Sequence, residues 1–382
     1  MRTNVLLITS MAAIGMMASC ANDGAVQTKK AEPATIAIAL NGTSTTRTAA
    51  DVTNDGQINR IAVGLFDADN NLVSITEPTF TVSSGTLSAT VTGTTLVTKV
   101  AAVANAPAGA FSSVKKLDDF HKVAIDISNT TTSDGKTADG SKQYESDLPM
   151  EGDGTVTNAS TGTGSATFSL IRLASKIELD NIHVAFDATG AYSGYTFIPT
   201  EIFMSNVAET VYSNENSPYI TAPAYLQGWS GATSPVTYLS TGALNGTLTP
   251  DKASTTYDYS ATPYTFFTLA NDGSISGNSR TKLIIKGDIY NSALSTATKV
   301  GTYYYPIIIN HVMSGTTTDG STAYSANGTD GQIAPNSYYK LSATIKSKGV
   351  TDPTQELTSA AISLTITVTP WPTAYTQNVV FD

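Results

Sequence analysis

The residues that could do chemistry in this chain are few, and their spacing argues against most of it. The three histidines, His121, His183 and His311, lie far apart and carry no neighbouring ligand pairs. Each therefore reads as a loop or surface residue rather than a metal ligand or general base. The glycine-rich stretches lack the Lys-Ser/Thr of a phosphate loop, and there is no Gly-x-Ser-x-Gly elbow. Asp67, Asp69 and Asn71 copy the opening ligand spacing of an EF-hand loop. The match then fails, because Leu72 stands where Gly is needed and Pro78 where the bidentate Glu belongs. That segment reads instead as a hairpin turn. Carboxylates distant in sequence can still meet in space, which leaves glycoside hydrolysis open. The expectation is a chain that is not an enzyme, with no catalytic residues, no cofactor and no metal.

The remaining chemistry is done to the chain rather than by it. Cys20 is the only cysteine, so an intrachain disulfide is impossible. It follows a basic Arg2, an apolar run over residues 5–17, and the small residues Ala18 and Ser19. This is the pattern of a signal peptide. The terminal Cys is similar to that of a bacterial lipobox, with Met17 where Leu is commoner. The reading implied is cleavage before Cys20 and lipidation of its thiol, so that acyl chains anchor the precursor. A plain secretory signal with an incidental Cys is the alternative. No other apolar run approaches the ~20 residues of a membrane-spanning helix. The second modifiable position is Arg47, at the end of the small, polar segment Asn41–Arg47. Exposed segments of this kind are where proteases cut, here between Arg47 and Thr48.

The element that gives Arg47 its interest lies just before it. Ile36, Ile38 and Leu40 recur at period two with only Ala37 and Ala39 between them, which puts three large side chains on one face of a strand. If the loop is cut, that strand can leave and its groove must be refilled. An ordinary first strand followed by an ordinary loop is the competing reading. Across the chain, 41% of residues are hydrophobic and only 14% charged. Short apolar runs separated by Gly, Asn, Asp and Pro predict an all-β protein. Strands are expected at Ile58–Phe66 and Leu72–Ile75 around the Asp67 turn, then along a long alternating run, Ala166–Phe186. Further strands are expected at Tyr195–Val207, Tyr257–Leu269, Thr281–Ile289, Lys299–Ile309, Ser337–Lys346 and Ala361–Thr369. A short helix is expected within Ser112–Ile127. The organisation predicted is a signal peptide (1–19), a propeptide including the first strand (20–47), two domains (48–175 and 176–372) and a tail (373–382). In the tail Tyr375, Gln377, Val379 and Phe381 alternate weakly, with no evident groove for them in their own molecule. Trp229, Tyr219 and Tyr225 form the one aromatic platform a glycan could use, and they read as packing. Formal charge is −10, so nucleic acid is a poor partner. A cut after Arg47 removes four basic and two acidic residues and takes it to −12.

In order and spacing these segments resemble the fimbrillins, the type V pilins of the Bacteroidia, and in particular fimbrillin A-like major fimbrial subunits. The resemblance is carried by the lipobox at Cys20, by Arg47 after the first strand, and by Ile61–Leu72. Leu148-Pro-Met150, Arg172–Ile177, Phe197–Val207 (FIPTEIFMSNV) and Tyr225–Gly228 also match, as do Pro263–Asn271 (PYTFFTLAN), Pro335–Ile345 (PNSYYKLSATI) and Ala361–Thr369 running into Trp371. It implies two tandem transthyretin-like β-sandwich domains and export as an outer-membrane lipoprotein. It implies that an arginine-specific protease removes the first strand, and that the tail of another copy, Thr373–Asp382, takes its place. Repetition would build a cell-surface fimbrium serving adhesion and biofilm formation. The partners implied are other copies of the chain, related fimbrial subunits, the protease and, through lipid, the outer membrane. Open alternatives are a tip or anchor subunit, or a monomeric surface lipoprotein that binds glycans.

Overall fold

Alternation of large apolar with small or polar residues dominates the chain, and the computed structural model is almost entirely β. It describes residues 31–41, 57–370 and 375–376, apart from short stretches at 84–85, 132–141, 222, 245–247, 274–278, 313–315, 319–322 and 358–360. The first strands are β1 (Pro33–Asn41), β2 (Ile61–Phe66), β3 (Leu72–Thr76), β4 (Thr81–Ser83), β5 (Thr86–Thr94) and β6 (Lys99–Ala104). A single helical turn, α1 (Leu117–Phe120), precedes β7 (Ala124–Asp126), β8 (Met150–Thr157), β9 (Thr163–Thr167) and β10 (Ser169–Arg172). Apart from β7, these strands share one sheet in the order β3-β2-β6-β8-β9-β1-β5-β4, with β10 beside β8. The sheet folds over on itself: the Ser74 hydroxyl of β3 donates to the Thr92 carbonyl of β5 at 3.0 Å. Ile36, Ile38, Val63, Leu65, Val91 and Val100 fill the space between its layers.

Strands β2 and β6 are buried on both faces, which is why they read as unbroken apolar runs rather than as alternation. Val63 and Leu65 face the inner core, while Ala62 and Phe66 pack outward against Phe111 and Phe120. The turn between β2 and β3 is the expected hairpin. The Asp67 carboxylate accepts the N–H of Asp69 at 2.9 Å and of Asn71 at 2.8 Å. Asn70 takes the left-handed backbone with φ 65°, which Asn tolerates better than most residues. The helix expected within Ser112–Ile127 amounts to one turn, stabilised where the Asp119 carboxylate accepts the N–H groups of Lys115 and Lys116.

The rest of the chain adds β11 (Ala174–Val184), β12 (Thr196–Ala208), β13 (Thr210–Tyr212), β14 (Tyr225–Gln227), β15 (Thr256–Asp258) and β16 (Tyr264–Leu269). It continues with β17 (Lys282–Tyr290), β18 (Lys299–Ile308), β19 (Ser337–Ile345) and β20 (Ile362–Pro370). Two sheets result: β15-β11-β19-β20, with β16 also on β11, and β14-β12-β17-β18. Ile177, Leu341 and Leu364 of the first share a core with Ile202, Leu283 and Tyr305 of the second, the layering of a sandwich. In β20, Ile362, Leu364 and Ile366 are buried and Ser363, Thr365 and Thr367 half-buried. The run Ala166–Phe186 is not one element. Leu173 separates β10, which stays on the first sheet, from β11, which begins the next. Tyr257–Leu269 also divides, because Asp258 accepts the Ser260 N–H, Thr262 turns back onto Tyr259, and Pro263 has no N–H to continue the ladder. A two-stranded ladder of β7 and β13 (Ala124↔Tyr212) ties the α1 segment to the later half. A final short strand, β21 (Tyr375–Thr376), pairs with β10 at Leu170↔Tyr375. The start of the tail therefore does find a place in its own molecule, at the free side of β10.

Candidate functional site

Strand β1 lies in the middle of its sheet although it comes first in the chain. It pairs antiparallel with β5 through nine positions, from Pro33↔Thr94 to Asn41↔Thr86. On its other side it runs parallel to β9 at Thr35↔Thr163, Ile36↔Gly164 and Ala37↔Ser165. The Thr35 N–H donates to the Gly162 carbonyl and the Thr95 N–H to the Glu32 carbonyl, both at 2.9 Å. Period-two alternation turns Ile36 (0% exposed) and Ile38 (1%) into the core and leaves Thr35 outside. Burying a side chain of this size is worth ~1.5–3 kcal/mol, so the two contribute about 3–6 kcal/mol. That is a large share of the roughly 5–15 kcal/mol that holds a domain together. Leu40 stands opposite Leu87 in the same ladder, and its side chain lies outside the described residues.

Two glycines shape the seat of Ile36. A Cβ on Gly164 would lie 2.7 Å from Ile36 Cδ1 and 3.2 Å from Ala159 Cα. A Cβ on Gly93 would lie 2.8 Å from Leu65 Cδ1. Both let neighbouring backbone approach a large core side chain. Cys20, Arg47, Thr48, Gln377, Val379 and Phe381 lie outside the described residues, and of the donor positions only Tyr375 is placed, by its backbone. Arg60, the other basic residue close to the first strands, donates Nη1–H to the Ala106 carbonyl at 2.9 Å and lies 3.8 Å from Glu77. Tyr219 and Tyr225 line a shallow cavity of about 190 Å³ with Pro223 and Asp272. Trp229 is not part of its wall and instead lies over Gly231.

The histidines are less isolated than their spacing suggests. His311 contacts Asp330 at 2.8 Å, and His183 meets the Thr256 hydroxyl at 3.1 Å. His121, at the end of α1, faces two carboxylates of β8: Asp153 Oδ1 at 3.4 Å and Glu151 Oε1 at 3.8 Å. Burial pushes the Glu151 carboxyl up to about 8, opposed by the N–H of Glu215. His121 beside Asp153 holds that carboxyl below its ordinary value. Glu151 and Asp153 share a face because they are two apart on a strand. That half of the cluster could be read from sequence, but the approach of His121 could not.

The fold as a whole is similar to that of a solved fimbrillin and of solved cell adhesion proteins. A fimbrilin (FimA) from Porphyromonas gingivalis W83 is 17% identical, with a TM-score of 0.58 over 88% of this chain and 97% of that one. Candidate cell adhesion proteins from Bacteroides eggerthii and Parabacteroides distasonis give TM-scores of 0.60 and 0.61. Their identities are 23% and 18%, over 89% and 90% of this chain and 96% and 99% of theirs. Residues 34–184, from within β1 to the end of β11, match the family described as "Major fimbrial subunit protein (FimA)", and the resemblance to the fimbrillins read from the sequence stands on that match. No curated protein matches the chain.

Proposed function

We propose that this chain is a structural subunit of a cell-surface fimbrium, with no enzymatic role, and that its subunits join by exchange of the first strand. In this reading the precursor is exported as an outer-membrane lipoprotein on Cys20. An arginine-specific protease cuts between Arg47 and Thr48, β1 leaves, and residues 373–382 of another copy enter between β5 and β9. The domains on either side of residue 175 act as the two transthyretin-like units of the subunit.

The observation that carries the reading is the mid-sheet position of β1. Ile36 and Ile38 are its large buried side chains among the described residues, and its nine register positions are close in length to the ten-residue tail. A replacement strand would recover both apolar contacts and ladder hydrogen bonds. A tail that fits the groove of another copy makes a heterologous contact that need not close, and so propagates as a fibre. The test uses the precursor lacking residues 1–19, treated with an arginine-specific protease, sequenced at its new N-terminus and run unboiled on an SDS gel. A start at Thr48 with a ladder of SDS-resistant multimers is expected. A stable monomer starting at Thr48 would overturn exchange and favour a tip subunit. An intact Arg47 bond would favour an anchor.

A further inference from the structure

A second site, independent of the strand reading, is formed where α1, β8 and the turn after β13 converge. Nε2 of His121 is buried and has no hydrogen-bond partner, and it points at the carboxylates of Glu151 and Asp153. One ligand atom from each of the three residues lies within 4.8 Å of the other two. Glu151 is 2% exposed, and no lysine or arginine among the described residues pairs with it. Its second oxygen accepts the backbone N–H of Glu215 at 3.0 Å, which fixes the direction of the first. The Lys99 ammonium donates to the Asn70 side-chain carbonyl. Burial makes ionisation of Glu151 costly in the absence of a cation, and two carboxyl groups, those of Glu151 and Asp153, face one imidazole.

The supports are rigid. β8 is hydrogen-bonded on both sides, by β6 at Val103↔Glu151 and by β10 at Ile171↔Glu151. The end of α1 is held by Ser213, whose N–H donates to the Val123 carbonyl at 2.9 Å and whose hydroxyl donates to Phe120. The Glu151 carboxyl is oriented through one oxygen by the Glu215 N–H, the kind of supporting hydrogen bond that metal-ligating carboxylates commonly accept.

We propose that His121, Glu151 and Asp153 hold one divalent transition-metal ion, with Zn²⁺ as its best occupant. Ligands ~2.1 Å from a tetrahedral zinc lie about 3.4 Å from one another, and the two His121 separations are 3.4 and 3.8 Å. One imidazole with two carboxylates is a nitrogen–oxygen set suited to zinc. Calcium takes six to eight oxygens, so an imidazole donor argues against it. The fourth position is open to water. The ion would fasten α1 to β8 and, through Glu215, to the turn after β13.

The test uses tag-free protein carrying Cys20→Ser, so that a free thiol does not compete, stripped with EDTA and titrated calorimetrically with ZnCl₂. Binding of one Zn²⁺ per chain is expected, with a melting temperature that rises with Zn²⁺ concentration. His121→Ala, Glu151→Gln and Asp153→Asn should each weaken binding at least tenfold. Asp153→Asn is the most telling, because the Asp153 side chain is 45% exposed and the substitution should leave the core intact, as circular dichroism would verify. His311→Ala should leave binding unchanged. Absence of saturable Zn²⁺ binding by the parent protein would overturn the proposal. So would equal affinity in the parent and Asp153→Asn, or loss of binding in His311→Ala alone.

Discussion

Ile36 is the residue on which the first core turns. Truncating it to Ala should lower the unfolding free energy of the precursor lacking residues 1–19 by about 2–5 kcal/mol, read from urea denaturation. Thr35→Ala, on the exposed face of the same strand, should change it by less than ~0.5 kcal/mol. Equal effects would mean that the strand is not seated as described. If β1 is absent from the filament, Ile36→Ala should also leave filament stability untouched. Gly164→Ala should cost ~1–3 kcal/mol by crowding Ile36. The double variant should cost less than the two changes separately, because residues in contact are not additive. At this scale the sequence is partly legible. Ile36 and Ile38 announce themselves by alternation, which is a local signal. The need for glycine at 164 depends on Ile36, Val156 and Ala159 arriving from elsewhere, and no local pattern encodes that.

At the scale of elements, β1 separates β9 from the β4–β5 hairpin. Its departure would leave the amides of β5 and β9 that face it without partners. Hydrogen exchange in residues 86–94 and 163–167 should therefore quicken after cleavage in any monomer and slow again once subunits assemble. Unchanged exchange in the monomer would show that β1 stays bound after the cut. The β2–β3 hairpin makes a separate, smaller prediction. Slight burial raises the Asp67 carboxyl, but the N–H donors of Asn71 and Asp69 outweigh it and leave it below its ordinary 3.8. A carboxyl lowered by folding stabilises above its unfolded value and loses that contribution as pH falls through the folded one. The stability gap between the parent and Asp67→Ala should thus be full near neutral pH and shrink below about pH 4. The hairpin was readable because Asp-x-Asp-Asn-Asn is turn chemistry in itself. The breaks at Leu173 and at 259–263 were not, since apolar alternation runs through the first and strand-forming tyrosines flank the second. Which sheet each half joins is decided by partners from elsewhere in the chain, such as Glu151 opposite Ile171 for β10 and Leu269 opposite Ala174 for β11.

The whole molecule carries a formal charge of −10, and the cut proposed at Arg47 makes it more negative. Subunits meeting end to end would repel one another across distances that salt screens, from a Debye length of ~30 Å at 0.01 M to ~8 Å at 0.15 M. Assembly of cleaved subunits, followed by light scattering, should therefore be faster at the higher ionic strength. A rate that falls with salt would point to attraction between unlike patches instead. The ladder of nine positions between β1 and β5 has one more consequence. While β1 is continuous with the domain it closes, any rival strand competes against a segment tethered at an effective concentration on the order of millimolar. Once the tether is severed, the same segment can dilute into the medium, and its hold depends on how much of it is nearby. One broken peptide bond would thus act as a clock, keeping the subunit closed during transport and releasing it for exchange only where the protease is found.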